Sequence, residues 1–143
     1  MLKKTIKYVD YNGESRAETF FFNLTKAELT RLNFDKKDDL ATRIKQMVNS
    51  DDRKAILQLF EDLITAAYGR PSEDGRYFRK SEAMREEFMS CPAYDELFFE
   101  LVSDADKFVT FMKALVPKDL AQEIEKQEAN NALDHNTGAA IVE

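Results

Sequence analysis

The alternation of apolar and polar residues at the start of the chain predicts a β-hairpin. The dipeptide Asn12-Gly13 lies between two apolar-rich segments, TIKYVDY and ESRAETFFF, and favours a tight turn because both turn positions need positive φ. A two-residue turn places Ile6 opposite Thr19. An isolated two-stranded ribbon is marginal in water. We therefore expect the ribbon to pack on helices, on another copy of the chain or on a partner.

The predicted register assigns the apolar residues of this hairpin to two faces. Ile6, Tyr8, Ala17 and Phe21 share one face, and Val9, Tyr11, Phe20 and Phe22 share the other.

From residue 25 onward the apolar spacing is helical. Thr25 and Glu28 form a capping box, which marks a helix start. Further helices are expected to begin near Asp35, Ser50, Ser81, Pro92, Ser103 and Lys118. The strongest helix is KAILQLFEDLITAAY, and we expect Gly69 at its C′ position, with Pro71 preventing continuation.

These elements predict a mainly α fold. The expected architecture is a small bundle of about six helices with an N-terminal β-hairpin over residues 1–24, all in one domain over residues 1–127. Residues 128–143 read as a flexible, disordered tail. Residues 70–80 connect two helical halves, and the turn signal Asp74-Gly75 within them fits a small β-hairpin or a compact loop.

The distribution of charge disfavours nucleic acid as a partner. The 143 residues carry a net charge of −6, with residues 1–50 at +3 and residues 92–143 at −7. A phosphate backbone would be repelled by the second half and only weakly attracted by the first. The chain has no signal peptide and no long apolar run, so we expect a cytosolic protein that does not enter a membrane.

The inventory of reactive residues argues against an enzyme. Cys91 and His135 are the only cysteine and histidine. One cysteine cannot form an internal disulfide, and one of each residue cannot form a His/Cys metal cluster. A Ser-His-Asp triad is also disfavoured. The acidic pairs, such as Asp104 with Asp106, fall at predicted helix starts, where carboxylates complement the helix dipole. We expect no catalytic residue, no metal site and no cofactor.

Aromatic residues near the connector are the best candidates for a binding surface. Phe98 and Phe99 cannot both face one core, because helical neighbours point about 100° apart. Exposed apolar patches usually mark binding, so the candidate partner-binding residues are Arg70, Arg76, Tyr77, Phe78 and Phe99. In the alternative interpretation, Phe99 covers a neighbouring helix, and Tyr77 and Phe78 only hold the connector in place.

Residues 66–117 resemble the tail assembly chaperones of long-tailed, siphovirus-type bacteriophages and prophages. The matching segments are AAYGRPSEDGRYFRKSEAMREEF and CPAYDELFFELVSDADKFVTFMKALVP. Residues before 66 match more loosely, and those after about 120 hardly match.

The resemblance implies a non-enzymatic chaperone in the host cytoplasm. Such a protein binds the tape measure protein, keeps it soluble and promotes tail tube polymerisation, and it is absent from the mature virion. A longer, frameshifted form would recruit the tail tube protein. Whether such a form exists here, and whether the chain forms a homo-oligomer, stays open. The alternative is a stoichiometric minor structural or connector protein of the tail.

Overall fold

The computed structural model describes residues 1–32 and 53–117. Four strands are present there: β1 (Leu2–Val9), β2 (Ser15–Phe22), β3 (Tyr68–Pro71) and β4 (Phe78–Arg79). The helices are α1 (Lys26–Arg31), α2 (Arg53–Ala67), α3 (Glu82–Met89), α4 (Pro92–Ser103) and α5 (Ala105–Leu115). The helices predicted near Asp35 and Lys118, the Ser50 cap and the tail predicted for residues 128–143 lie outside the described residues.

The prediction of a mainly α, six-helix bundle is wrong. The described residues form five helices and a four-stranded antiparallel sheet in the order β1-β2-β3-β4. The connector adds two of these strands, because its residues continue the sheet that the N-terminal hairpin begins. The fold is therefore mixed α and β, with helices packed on one face of the sheet.

The N-terminal hairpin is present, but its predicted register is wrong by one residue. Ile6 pairs with Glu18, not with Thr19. The Gly13 N–H donates to the Asp10 carbonyl at 3.0 Å, and Gly13 has a φ of 82°. This geometry is a turn followed by a left-handed glycine, which adds one residue to the loop.

The longer loop changes which side chains are buried. A one-residue change of register exchanges the faces of one strand relative to the other. Ile6 and Tyr8 now share the buried face with Phe20 and Phe22, whereas Val9 and Tyr11 are exposed. The Asp10 carboxylate stabilises this loop by accepting from the N–H groups of Asn12 and Glu14, each at 2.9 Å.

Helix α2 runs directly into strand β3, so the predicted C′ role of Gly69 is also wrong. The helix ends at Ala67, and Gly69 lies inside β3, paired with Phe21. The Phe78 ring and the Arg79 carbonyl occupy the space that a Cβ atom on Gly69 would need. Glycine is required there for close approach of two strands.

The core is an aromatic cluster between the sheet and the helices. Tyr68 of β3 stacks on Phe88 of α3 with ring centroids 4.3 Å apart, and Phe22 of β2 meets Phe88 edge-on at 5.7 Å. Phe111 of α5 meets Phe22 at 5.4 Å. Because one cluster joins the sheet to α3 and α5, the described elements share a single core.

Three of the predicted helix starts in the described residues are confirmed and one is shifted. Pro92 lies in the first turn of α4 as predicted. The Thr25–Glu28 capping box is complete, and Ser81 caps α3 by accepting from the Met84 N–H at 3.1 Å. Helix α5 is capped by Asp104, not by Ser103, because the Asp104 carboxylate accepts from the Asp106 N–H at 2.9 Å.

Candidate binding surface

Strands β3 and β4 form a second hairpin, which carries four of the five candidate residues. Its turn is closed by the Ser72 N–H donating to the Tyr77 carbonyl at 2.7 Å, and Gly75 has a φ of 76°. The hairpin alternative for the connector is thus the correct one. We call Arg70, Arg76, Tyr77, Phe78 and Arg79 the hairpin surface.

Side chains inside the turn hold its tip in one conformation. The Ser72 hydroxyl donates to the Asp74 carboxylate at 2.7 Å and accepts from the Tyr77 N–H at 3.0 Å. The Asp74 carboxylate also accepts from the Arg76 N–H at 3.1 Å. The hydrogen bonds to Ser72 and Arg76 lower the pKa of Asp74. A tip that is ordered before a partner arrives loses less conformational entropy on binding.

Tyr77 is the exposed centre of the hairpin surface. Its side chain is 55% exposed. The guanidinium carbons of Arg76 and Arg79 lie 5.4 Å and 5.8 Å from the centre of its ring, within the range of cation–π attraction. The tip therefore presents an aromatic ring next to two positive charges, a combination enriched at protein interfaces.

Phe78 and Arg70 lie on the same hairpin but differ from Tyr77. Phe78 is half-buried over Gly69, with the Lys80 ammonium 5.6 Å from its ring centre. Arg70 is exposed and lies 3.7 Å from the Glu87 carboxylate, an ion pair that contributes little in solvent. Phe78 thus fixes the hairpin to the sheet, and Arg70 extends its positive charge.

Lys80 anchors the hairpin to the rest of the protein, a role that the sequence pattern did not indicate. Its ammonium donates to the Asn23 carbonyl at 2.6 Å, the Glu28 carboxylate at 2.6 Å and the Ala66 carbonyl at 2.7 Å. All three of its N–H donors are used. Burial lowers the pKa of Lys80, although the hydrogen bond and charge of Glu28 oppose that shift.

Phe99 belongs to a different region from the hairpin surface. Its side chain is 68% exposed on α4, with the Phe98 ring 6.0 Å away as an edge-on neighbour. Helix α4 packs on β1, where Glu100 and Lys4 form an ion pair at 3.2 Å. Strand β4 lies at the opposite edge of the sheet. Tyr77 and Phe99 are therefore two exposed aromatic sites rather than one patch.

A polar network beside the first hairpin is the other notable cluster. The Tyr8 hydroxyl donates to the Glu18 carboxylate, and the Arg16 guanidinium binds the Asp10 carboxylate at 2.6 Å. The hydrogen bond to Glu18, followed by burial, raises the pKa of Tyr8. Raised tyrosine pKa values keep the hydroxyl neutral. This network stabilises the hairpin and holds no activated nucleophile.

Other titratable groups in the described ranges have equally structural surroundings. Burial, followed by the charges of Glu61, Asp95 and Asp62, raises the pKa of Tyr94 to about 12. Cys91 is half-buried at the N-cap of α4 and makes no side-chain capping bond. Within residues 1–32 and 53–117, no group of three or more His, Cys, Asp or Glu side chains is placed to hold a metal ion. None of the helices there is long and apolar enough to span a membrane.

A comparison with protein families identifies the kind of protein to which this chain belongs. The family model described as phage tail assembly chaperone matches residues 1–141. The chain belongs to the phage tail assembly chaperone family. The resemblance seen in residues 66–117 is thereby confirmed, and the match also includes the N-terminal hairpin and most of the C-terminal segment. Chaperones of this family are generally non-enzymatic. Neither the curated proteins nor the solved structures contain a match to the chain.

Proposed function

We propose that this tail assembly chaperone binds the tape measure protein in the host cytoplasm, keeps it soluble and promotes polymerisation of the tail tube around it. It then leaves before the virion is complete. The observation that carries the proposal is the family match over residues 1–141. A chaperone needs binding surfaces rather than reactive groups, and the exposed aromatics of the described residues meet that need.

Two features of the surface support reversible binding of an amphipathic partner. Tyr77 offers a ring in contact with two guanidinium groups on an ordered tip, and Phe99 offers an apolar ring on a helix. Aromatic and arginine side chains contribute most binding energy per residue at interfaces. Because the two sites are separate, each can hold its own stretch of a long helical partner.

Solubility of the tape measure protein in co-expression tests both the function and the surface. We expect Tyr77→Ala and Phe99→Ala each to lower the soluble fraction, and the double variant to lower it further. Tyr11→Ala is the matched control, because Tyr11 is an 85% exposed tyrosine on the other hairpin turn. Phe78 is left unchanged, since it packs on Gly69 and its loss would disturb the hairpin.

The possible outcomes separate the function from the choice of surface. If the unmodified chain does not keep the tape measure protein soluble, the proposed function is wrong. If it does and the Tyr77 and Phe99 variants match it, the function stands and the assigned surface is wrong.

Composition of the purified virion tests the alternative of a structural tail protein. A chaperone is absent from mass spectra of complete particles, whereas a minor structural or connector protein is present in fixed stoichiometry.

We further propose that a longer, frameshifted form engages the tail tube protein. Mass spectrometry of infected cells would detect that form as peptides fusing this chain to a second reading frame.

A further inference from the structure

Half of the backbone hydrogen-bonding groups of strand β1 have no partner within the part of the chain that the structure describes. The Asp10 N–H donates to the Glu14 carbonyl at 2.9 Å, so these two residues are a hydrogen-bonded pair of the hairpin. Such pairs alternate along an antiparallel ladder. With the observed register, the N–H and C=O groups that point away from β2 belong to Lys3, Thr5, Lys7 and Val9.

These outward groups lie at the edge of the sheet that the described residues form. All four residues are exposed, and within residues 1–32 and 53–117 their backbone groups have no hydrogen-bond partner. The strand is 8 residues long. A long open edge is a template for pairing with another strand, so the edge of β1 needs either protection or an occupant.

An apolar groove runs beside this edge. It has a volume of about 420 Å³ and lies between β1, α4 and α5. Its apolar lining is Leu2, Leu101, Phe111 and Ala114, and its polar lining is Lys3, Lys4, Glu100, Asp106, Lys107 and Thr110. Side chains of an added strand point alternately to the two sides of the sheet. The groove meets β1 only at Leu2, Lys3 and Lys4, so an added strand would place a side chain in the groove at that end of β1.

The positive charges of β1 favour an acidic segment as the strand that pairs with its edge. The strand contains Lys3, Lys4 and Lys7 and no acidic residue. Lys4 is neutralised by Glu100 at 3.2 Å, whereas Lys3 and Lys7 have no ion-pair partner among the described residues. A second copy of β1 would bring lysines against lysines, which is unfavourable. An acidic segment has the complementary charge.

We propose that the free edge of β1 is a docking site for an extended acidic segment of a partner protein. The segment adds as a further strand of the sheet, hydrogen-bonded to the outward groups of β1. Acidic side chains lie opposite Lys3 and Lys7 on the solvated face, and an apolar side chain at the Leu2 end of β1 fills the groove against Leu101 and Phe111. This mode of recognition draws affinity from the backbone and specificity from alternate side chains. It does not depend on the aromatic sites of the proposed chaperone function.

Amide exchange of the full chain, followed by NMR, tests the site. The probe is a short synthetic peptide in which valine alternates with glutamate and threonine, and the control peptide carries lysine in place of glutamate. We expect the amides of Lys3, Thr5, Lys7 and Val9 to exchange rapidly in the free chain and to become protected by the acidic peptide alone.

The double variant Lys3→Glu/Lys7→Glu should weaken binding of the acidic peptide roughly tenfold, because two favourable cross-strand pairs become like-charge pairs. Arg53→Glu/Lys54→Glu, with the same charge change at exposed positions of α2, should bind like the unmodified chain.

Three results would overturn the proposal. Protection of these amides in the dilute free chain means that the chain covers its own edge. Protection that grows with chain concentration means that a second copy is the occupant. Absence of protection at saturating acidic peptide means that the edge does not accept a strand.

Discussion

The Lys80 ammonium and the Glu28 carboxylate form a 2.6 Å ion pair that joins the residue after β4 to the first turn of α1. Glu28 has two roles at once. Its Oε1 atom accepts from the Thr25 N–H at 3.0 Å to complete the capping box, and its Oε2 atom binds Lys80. The same ammonium reaches the last turn of α2 through the Ala66 carbonyl. One side chain therefore fixes the second hairpin relative to two helices.

Removal of the Lys80 ammonium should destabilise the protein. Lys80→Met leaves the Glu28 carboxylate and two carbonyls without their donor, in a site where the Lys80 side chain is 18% exposed. An acceptor left unsatisfied costs about 1–3 kcal/mol, and we expect a loss in that range from urea unfolding. In the double variant Lys80→Met/Glu28→Gln the loss should be smaller than the sum of the single losses. Strict additivity would show that the pair does not couple.

Stability should fall in acid as Glu28 becomes protonated. Burial raises the pKa of Glu28, but the hydrogen bonds from Lys80 and Thr25 outweigh it and hold the pKa below its ordinary value of 4.5. A depressed carboxyl pKa contributes stability that is complete above the unfolded pKa and is lost as pH falls through the folded pKa. Asp10 and Asp74, whose pKa values are also lowered, act in the same direction.

Urea unfolding at a series of pH values from 7 downward checks this titration. We expect Glu28→Gln to be less stable than the unmodified chain at neutral pH and to lose less on acidification below about pH 4.5. Glu73→Gln, an exposed residue of the β3–β4 turn, should follow the unmodified curve. Parallel curves for Glu28→Gln and the unmodified chain would show that protonation of Glu28 does not contribute to the loss of stability in acid.

Gly69→Ala should destabilise the protein by overpacking. A Cβ atom at residue 69 would lie 2.6 Å from the Arg79 carbonyl and would also strike the Phe78 ring. Overpacking of this kind costs about 1–3 kcal/mol. Gly75→Ala is the matched control, since that site is open but has a φ of 76°. Its loss should come from backbone strain alone, about 1–2 kcal/mol. Thermal unfolding of both variants measures the difference, and an unaffected Gly69→Ala would exclude the close approach.

Loss of the Asp10 carboxylate should weaken the first hairpin. Asp10 accepts from two backbone N–H groups of its own turn and from the Arg16 guanidinium at 2.6 Å. We expect Asp10→Ala to speed amide exchange of the β1–β2 ladder, whereas Asn12→Ala, which keeps the acceptor, should change it less. Equal exchange in both variants would mean that Gly13 alone sets the loop.

The exposed aromatics should matter little for folding. Tyr77→Ala and Phe99→Ala change exposed side chains, so we expect each to alter the free energy of unfolding by no more than about 0.5 kcal/mol. Phe88→Ala removes a buried ring that contacts both sheet and helix, and should cost about 3–5 kcal/mol. A large loss from Tyr77→Ala or Phe99→Ala would mean that the side chain is structural, and its use in the solubility experiment would then be invalid.

Local signals in the sequence determined two of the helix caps and the positions of both turns. The Thr25–Glu28 capping box, the Ser81 cap and the Asp74-Gly75 turn each involve residues close in the chain, so short-range patterns were sufficient. The family resemblance was also visible there, because the segments that carry it are contiguous. The Phe98-Phe99 spacing made Phe99 a candidate for exposure but left a covered Phe99 open, and nothing in the pattern separated Tyr77, which is exposed, from Phe78, which is half-buried.

Only the tertiary structure decided the strand register, the fate of Gly69 and the role of Lys80. The register depends on the geometry of the loop over residues 10–14, whereas Gly69 and Lys80 depend on residues far apart in the chain. Gly69 joins the sheet because β2 offers Phe21 as a partner, and Lys80 is satisfied by carbonyls and a carboxylate from three other segments. The sequence pattern of a glycine after a helix, or of a lysine after a turn, does not indicate whether distant residues will pair with it in the fold. The free energy that selects between those outcomes comes from packing and hydrogen bonds formed only when the sheet assembles.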